Sequence, residues 1–260
     1  MREPVRGGAA LIHHSGPGEK MRSTQYMDIS SEFLLSDKAP KTLSEAVYLR
    51  LRHDILSGEL KPGTKLRFAD LTNRYGAAMG TLRESLSRLT ADRLVVAEGQ
   101  RGFRVPPISL NELWDITQLR IEIETVALSE SIKAGTSDWE ADVLAALHRL
   151  LKLEGPRKAK PALLTEKGAF LHKRFHMSLV NASPSIWRLR VIEVLYDQSE
   201  RYRRLQTSYL SGMLNSAQEH QAMADAAISR DTKTATRLLK IHLSKTAEML
   251  ASLTELWVEH

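Results

Sequence analysis

Two histidines stand four residues apart in the stretch LHKRFHMSLVNAS, residues 171–183: His172 and His176. The apolar residues around them recur at helical spacing, and side chains at i and i+4 lie on one helix face, one turn apart. A divalent metal ion can bridge two imidazoles so placed. The pair lacks the glutamate that an HExxH helix carries as general base, which moves the reading away from a zinc protease. The closest substitute, Glu219 beside His220, is one residue along a predicted helix and points elsewhere. There is no GxSxG, no Gly-rich phosphate loop and no DxD-like acid cluster. A metal-dependent hydrolase fused to a second module therefore stands only as the alternative to a metal-bearing sensor. The chain has no Cys, which excludes disulfides, thiolate zinc sites and cysteine nucleophiles and is consistent with a cytoplasmic location.

A second group of residues able to do chemistry is a set of arginines early in the chain. The 260 residues carry a net charge of +6, unevenly spread. Residues 41–107 hold 12 Lys and Arg against 7 Asp and Glu, a net of +5; residues 1–40 hold five of each sign, and residues 108–260 hold 20 against 19. A small basic module joined to a larger, near-neutral one implies a polyanion partner for the small one. No run reaches the roughly 18 apolar residues of a membrane span. Residues 1–40 read as a tail without a core; its AALI is too brief for a signal-peptide apolar region, and Met21 and Met27 are alternative starts that the sequence does not distinguish.

The elements that must position these residues follow from spacing. Leu43, Val47, Leu51 and Ile55 make one stripe of a helix ended by Gly58. FADLTNRYG reads as a short helix closed by Gly76. GTLRESLSRLTADRL places Leu82, Leu86 and Leu89 on one face, and Thr81 with Glu84 fits a capping box that starts this helix near Thr81. LVVAEGQRGFRVPP alternates around Gly-Gln as a short hairpin closed by Pro106-Pro107. Three helices and a hairpin make a winged helix-turn-helix. The run LRHDILSGELKPGTKL, DLTNRYG, LRESLSRLTADRLVVAEGQRGFRV closely resembles the DNA-binding domain of the GntR family of bacterial transcription regulators over residues 41–107.

That resemblance implies a third helix lying in the major groove of duplex DNA with its N-terminal residues toward base edges. Arg83 falls where the family's arginine reads a guanine, whose O6 and N7 a guanidinium matches bidentately. Arg67, Thr81, Arg88 and the wing residues Arg101, Gly102 and Arg104 complete the expected DNA surface, with Arg74 and Arg88 as phosphate contacts. The family often places Ser-Arg or Thr-Arg just before this helix, and this chain has Ala78-Met79. Arg83, Arg67 and the wing must then carry more of the recognition.

Residues 108–260 show no strand signal. Leu113, Ile116, Leu119, Ile123 and Val126 follow steps of three and four in a long helix with Asn111 as N-cap and Gly135 as stop. Further helical segments follow, separated by the polar loop GPRKAKPALLT, giving an all-helical bundle of six or seven helices. LRIEIETVAL, FHMSLVNAS, EHQAMADAAISRD and the IH of LLKIHL resemble the FCD ligand-binding domain found with the GntR winged helix in the FadR branch.

The FCD resemblance implies a metal held by an acid and three histidines. Carried over, the histidines are His176, His220 and His242, and the acid position is His172. The site becomes four imidazoles, a donor set suited to a divalent transition metal, Zn or Ni first. Arg120 matches an arginine facing the effector cavity, where it can clamp a carboxylate, with Glu124 one turn on to orient it; Arg201 and Tyr202 are further effector-site candidates. The whole reads as a homodimeric regulator, a repressor on a pseudo-palindromic operator, released by a small carboxylate, with no membrane association and no catalysis.

Overall fold

The computed structural model describes residues 40–154, 165–205 and 216–253. Residues 1–39 of the tail expected over 1–40, and residues 155–164 of the polar loop, lie outside them. Nine α-helices and a three-stranded sheet occur among the described residues, in the order α1 (Leu43–Leu56), β1 (Lys65–Leu66), α2 (Phe68–Tyr75), α3 (Met79–Ala91), β2 (Val96–Ala97), β3 (Phe103–Arg104), α4 (Leu110–Ala134), α5 (Ser137–Glu154), α6 (Glu166–Val180), α7 (Ile186–Leu205), α8 (Ser216–Ile228) and α9 (Thr232–Ala251). The fold is mostly α: a winged helix-turn-helix followed by a bundle of six described helices. None of the described helices is long and apolar enough to cross a membrane.

The first module closes around leucines. Leu51, Leu82, Leu86, Leu89 and Leu94 are fully buried, so α1 and α3 meet face to face. Leu43, at the first position of α1, is half exposed and stands outside the stripe that its spacing suggested. Helix α3 starts at Met79 rather than near Thr81, and Ala78 at its N-cap makes no side-chain bond. Burial of Ala77 after the left-handed Gly76 turns the chain into the helix two residues early; the Thr81 capping box is not used.

The hairpin forms as expected and gains a third strand, in the order β1-β3-β2. Leu66 faces Phe103 and Val96 faces Arg104, both pairs antiparallel. Two residues are too few to show a strand period in sequence, which is why β1 had no signal. Between β2 and β3 the chain turns through Gly99–Arg101, and Gly102 lies at φ 95°, ψ −137°. That combination is open to glycine and costly to other residues. There the Glu98 N–H donates to the Gly102 carbonyl at 2.8 Å.

In the bundle, Ser109 rather than Asn111 caps α4, accepting from the Glu112 N–H at 3.1 Å. Gly135 ends α4 without a left-handed turn. Its requirement is space: a Cβ there would sit against the Trp139 ring and 2.7 Å from the Ser131 carbonyl oxygen. Trp139 is buried and donates its indole N–H to the Ser178 carbonyl at 2.9 Å, tying α5 to α6.

The inward face of α4 differs from the apolar stripe that its spacing suggested. Leu113 and Ile116 are buried, but Leu119 and Val126 are 38% and 45% exposed, while Arg120 and Glu124 are buried. Helices α4 and α7 run antiparallel, tied by Glu130 to Arg188, Arg120 to Ser199 and Glu112 to Tyr202.

Candidate metal centre and DNA-binding face

His172 and His176 share one face of α6, as their spacing requires. Helix α8 delivers His220 and α9 delivers His242. All four are buried, and one ring nitrogen from each lies within 4.8 Å of the others. Nε2 of His172 and Nε2 of His176 are 3.3 Å apart. About 3.3 Å is the edge of a tetrahedron of nitrogens around an ion with ~2.05 Å bonds.

Burial pushes His172 and His176 well below the ordinary imidazole range, and the neighbouring imidazoles push in the same direction. Burial also lowers His242, against the opposing pull of Glu219. Neutral rings are the form that ligates metal. Nδ1 of His176, the ring nitrogen other than the one facing His172, is buried with no hydrogen-bond partner among the described residues. The donor set and geometry fit a divalent transition metal.

Two neighbours orient the rings. Nδ1 of His242 lies 2.8 Å from a Glu219 carboxylate oxygen, and Lys245 pairs with the other oxygen. The His242 hydrogen bond first, then Lys245, hold Glu219 down to about 2. An ionised carboxylate only accepts, so His242 must carry its proton on Nδ1, leaving the Nε2 lone pair for an ion. Nδ1 of His172 meets the Tyr196 hydroxyl at 2.6 Å. Burial, then Glu200, raise Tyr196 well above the ordinary tyrosine value, so it stays a neutral hydroxyl. The resemblance did not point to Glu219 or Tyr196. Glu219 lies next to His220 in sequence yet meets His242 on another helix, a relation that only the packing of α8 on α9 creates.

The cavity beside the cage is about 40 Å³ and is lined by His172, His176, His242, Arg120, Glu200 and Arg203 among others. Nε of Arg120 donates to Glu124 at 2.6 Å, its NH1 donates to Ser199 at 2.8 Å, and its guanidinium lies over the Tyr196 ring at 5.2 Å. Glu124 thus stands behind Arg120, one turn on. Burial pushes the Glu200 carboxyl up, but Arg203 and Arg204 outweigh it, and the net direction is down. Arg203 holds Glu200 by two bonds of 2.7 Å.

Arg201 and Tyr202, expected at the effector site, are not among the cavity-lining residues. Arg201 donates to the carbonyls of Pro106 at 2.8 Å and Pro107 at 3.3 Å. Tyr202 bonds Glu112, and the Ser109 N–H donates to its hydroxyl at 3.3 Å. On α7 the positions reaching the cavity are 196, 199, 200 and 203; helical rotation turns 201 and 202 to the linker between the modules. Arg203 and Glu200 occupy the place proposed for them.

In the first module, Arg83 is exposed on the first turns of α3, with its guanidinium over the Phe68 ring at 5.3 Å. Arg67 is exposed at the start of α2, Thr81 is half-buried, and Arg101 is exposed beside Gly102 at the wing tip. Arg88 is exposed and lies over Tyr48 at 4.0 Å. Two expected DNA contacts also have partners within the module. Arg104 donates to Glu98 at 2.7 Å and to the Gly63 carbonyl at 2.6 Å, because it sits on the central strand. Arg74 pairs with the buried Asp54 at 2.7 Å, which also accepts from Tyr75 at 2.6 Å.

A winged helix-turn-helix with outward arginines, joined to a helical bundle with a cavity and four converging histidines, defines a ligand-responsive DNA-binding regulator. Residues 43–105 match the model of the bacterial regulatory proteins of the gntR family, and residues 115–245 match that of the FCD domain. The chain belongs to the GntR family and carries an FCD domain; it is a transcription regulator rather than an enzyme. It is 38% identical over 210 residues to the uncharacterized HTH-type transcriptional regulator BphR of Paraburkholderia xenovorans (strain LB400), covering 81% of this chain and 86% of that one. It is 38% identical over 200 residues to the HTH-type transcriptional repressor GlaR of Escherichia coli (strain K12), covering 75% and 90%. Among solved structures, E. coli McbR/YncC superposes with a TM-score of 0.69 at 19% identity, over 83% of this chain and all of that one; that likeness concerns the fold.

Proposed function

We propose that the protein is a cytoplasmic homodimeric repressor whose grip on a pseudo-palindromic operator is released by a small carboxylate bound at a Zn or Ni site formed by His172, His176, His220 and His242. The observation that carries this reading is the convergence of four buried ring nitrogens within 4.8 Å on a cavity that also holds the Arg120 guanidinium. An ion held there supplies a positive centre to an anionic effector. Arg120 offers a second, oriented cation, and the buried walls exclude water. The repressor named among the relatives supports the sign of regulation.

Arg83 and Arg67 with the wing residue Arg101 serve as the outward DNA contacts, helped by Arg88; Thr81 and Gly102 let the backbone come close. The uncapped start of α3 leaves backbone N–H groups for a phosphate. A two-fold dimer matches a two-fold operator. Leu119 and Val126 of α4 with Trp187, Val191 and Val194 of α7 are exposed on neighbouring antiparallel helices, an apolar face suited to a second copy.

Metal content of the purified chain tests the reading. We expect one divalent ion per chain, its loss in His176→Ala, and a rise in melting temperature with small carboxylates that chelator abolishes. Equal metal content in both proteins defeats the assignment.

A further inference from the structure

Helix α7 has two faces with different neighbours. Tyr196, Ser199, Glu200 and Arg203 line the metal cavity. Asp197, Gln198 and Arg201, interleaved with them, meet the DNA-binding module and its linker. Asp197 pairs with Arg52 of α1 and, at 2.8 Å, with Lys173 of α6. The side-chain amide of Gln198 donates to the Asp92 carbonyl at 2.9 Å. Asp92 is the residue that closes α3, the recognition helix. Its carboxylate accepts from the Tyr48 hydroxyl at 2.6 Å, and Arg88 of α3 lies over that same Tyr48 ring.

The orientation of the Gln198 amide is fixed by its other partner. Its oxygen accepts from Arg201 at 2.9 Å, so its nitrogen must face Asp92; a flipped amide would set two acceptors against each other. Gln198 is buried, so the bond to the end of the recognition helix is shielded from water.

We propose that Gln198 and Asp197 are positioning residues for the recognition helix, and that Tyr196 makes their hold depend on whether the histidine cage is loaded. This rests on the metal reading above. When Nε2 of His172 is given to an ion, its proton sits on Nδ1 and must be donated to the Tyr196 oxygen. An ion in the cage also fixes the His172 ring, and with it the place of the Tyr196 hydroxyl 2.6 Å away. Tyr196 is then held in one manner only in the loaded state, and Asp197 and Gln198 follow it directly on the same helix. The two states thus differ at the point where the bundle grips α3, which is what coupling between a cavity and a DNA face requires.

The test uses the full chain, with saturating zinc or with chelator, and a duplex that the protein itself selects from a random pool. In the wild type, DNA affinity should differ between the two states by about tenfold, and amide exchange at Asp92–Leu94 should be slower with zinc. Gln198→Glu keeps the acceptor for Arg201 and loses the donor for Asp92. It should still bind zinc, because Gln198 does not line the cavity, with a lower melting temperature in both states, while the affinity ratio falls toward one and the exchange difference disappears; Tyr196→Phe should lower the ratio together with zinc affinity. A purely structural role would lower affinity in both states and leave the ratio unchanged. If Gln198→Glu does not fold, Asp197→Asn reads the same coupling through Arg52. A ratio of one in the zinc-bound wild type, or an unchanged ratio in these variants, overturns this proposal alone; a wild type that takes up no zinc overturns it together with the metal reading.

Discussion

In the winged-helix module Leu51, Leu82, Leu86, Leu89 and Leu94 are fully buried and Arg67, Arg83 and Arg101 stand outside. In the bundle, Arg120, Glu124, Glu200, Arg203 and the four histidines are all at most 8% exposed. One region keeps charge for a partner on its surface and, Asp54 apart, fills its inside largely with apolar residues. The other takes charge inside and must pair each group to keep it there. Replacing such pairs with well-packed apolar residues is often neutral or stabilising, so stability alone does not account for them.

The comparison can be broken most strongly at Glu200. Its carboxylate is shared by Arg203 and Arg204, so Glu200→Ala leaves two guanidiniums without their carboxylate beside the cavity. A loss of about 3–5 kcal/mol in urea unfolding is expected, as for other broken buried pairs. A loss below about 1 kcal/mol, the level of an exposed pair, would mean that water reaches the cluster and that the contrast between the modules is smaller than the burial implies.

The same contrast decides what the sequence could reveal. The first module was legible because its inside is largely apolar: the leucine spacing of α1 and α3 predicted both helices and an apolar face on each. In α4 that rule misled. The apolar Leu119 and Val126 face outward while Arg120 and Glu124 face in, so periodicity followed the wrong stripe where function placed ions inside. The histidine set was legible because side chains at i and i+4 must converge and because the family pattern supplied the later two. Tyr196 and Glu219 were not, since what marks them is a contact between helices distant in sequence; Glu200 and Arg203 were not, since only the packing of α7 turns them to the cavity. Arg201 and Tyr202 lie a fraction of a helical turn away from the cavity-lining positions of α7, a difference smaller than a pattern without coordinates can resolve.

A middle-sized effect sharpens the outward half of the comparison. Arg83→Ala should leave unfolding free energy within about 0.5 kcal/mol, because its side chain is exposed. Its affinity for the selected duplex should fall by about 1–3 kcal/mol, with relaxed preference at one base pair. Fluorescence anisotropy with the selected duplex and single-base variants reads both. Weakening that is uniform across all sequences would reassign Arg83 from base reading to phosphate contact.

The smallest effect separates two arginines three residues apart on the wing. Arg101 is exposed, while Arg104 is held by Glu98 and the Gly63 carbonyl. A phosphate contact releases counterions, so Arg101→Ala should reduce the slope of log affinity against log salt by about one. Arg104 already has an acceptor for its charge within the sheet, and Arg104→Ala should leave that slope unchanged while loosening the wing. Equal slopes for the two variants would show that the Glu98 pair opens on DNA, and that the wing, like the bundle, carries charge whose partner changes when the protein binds.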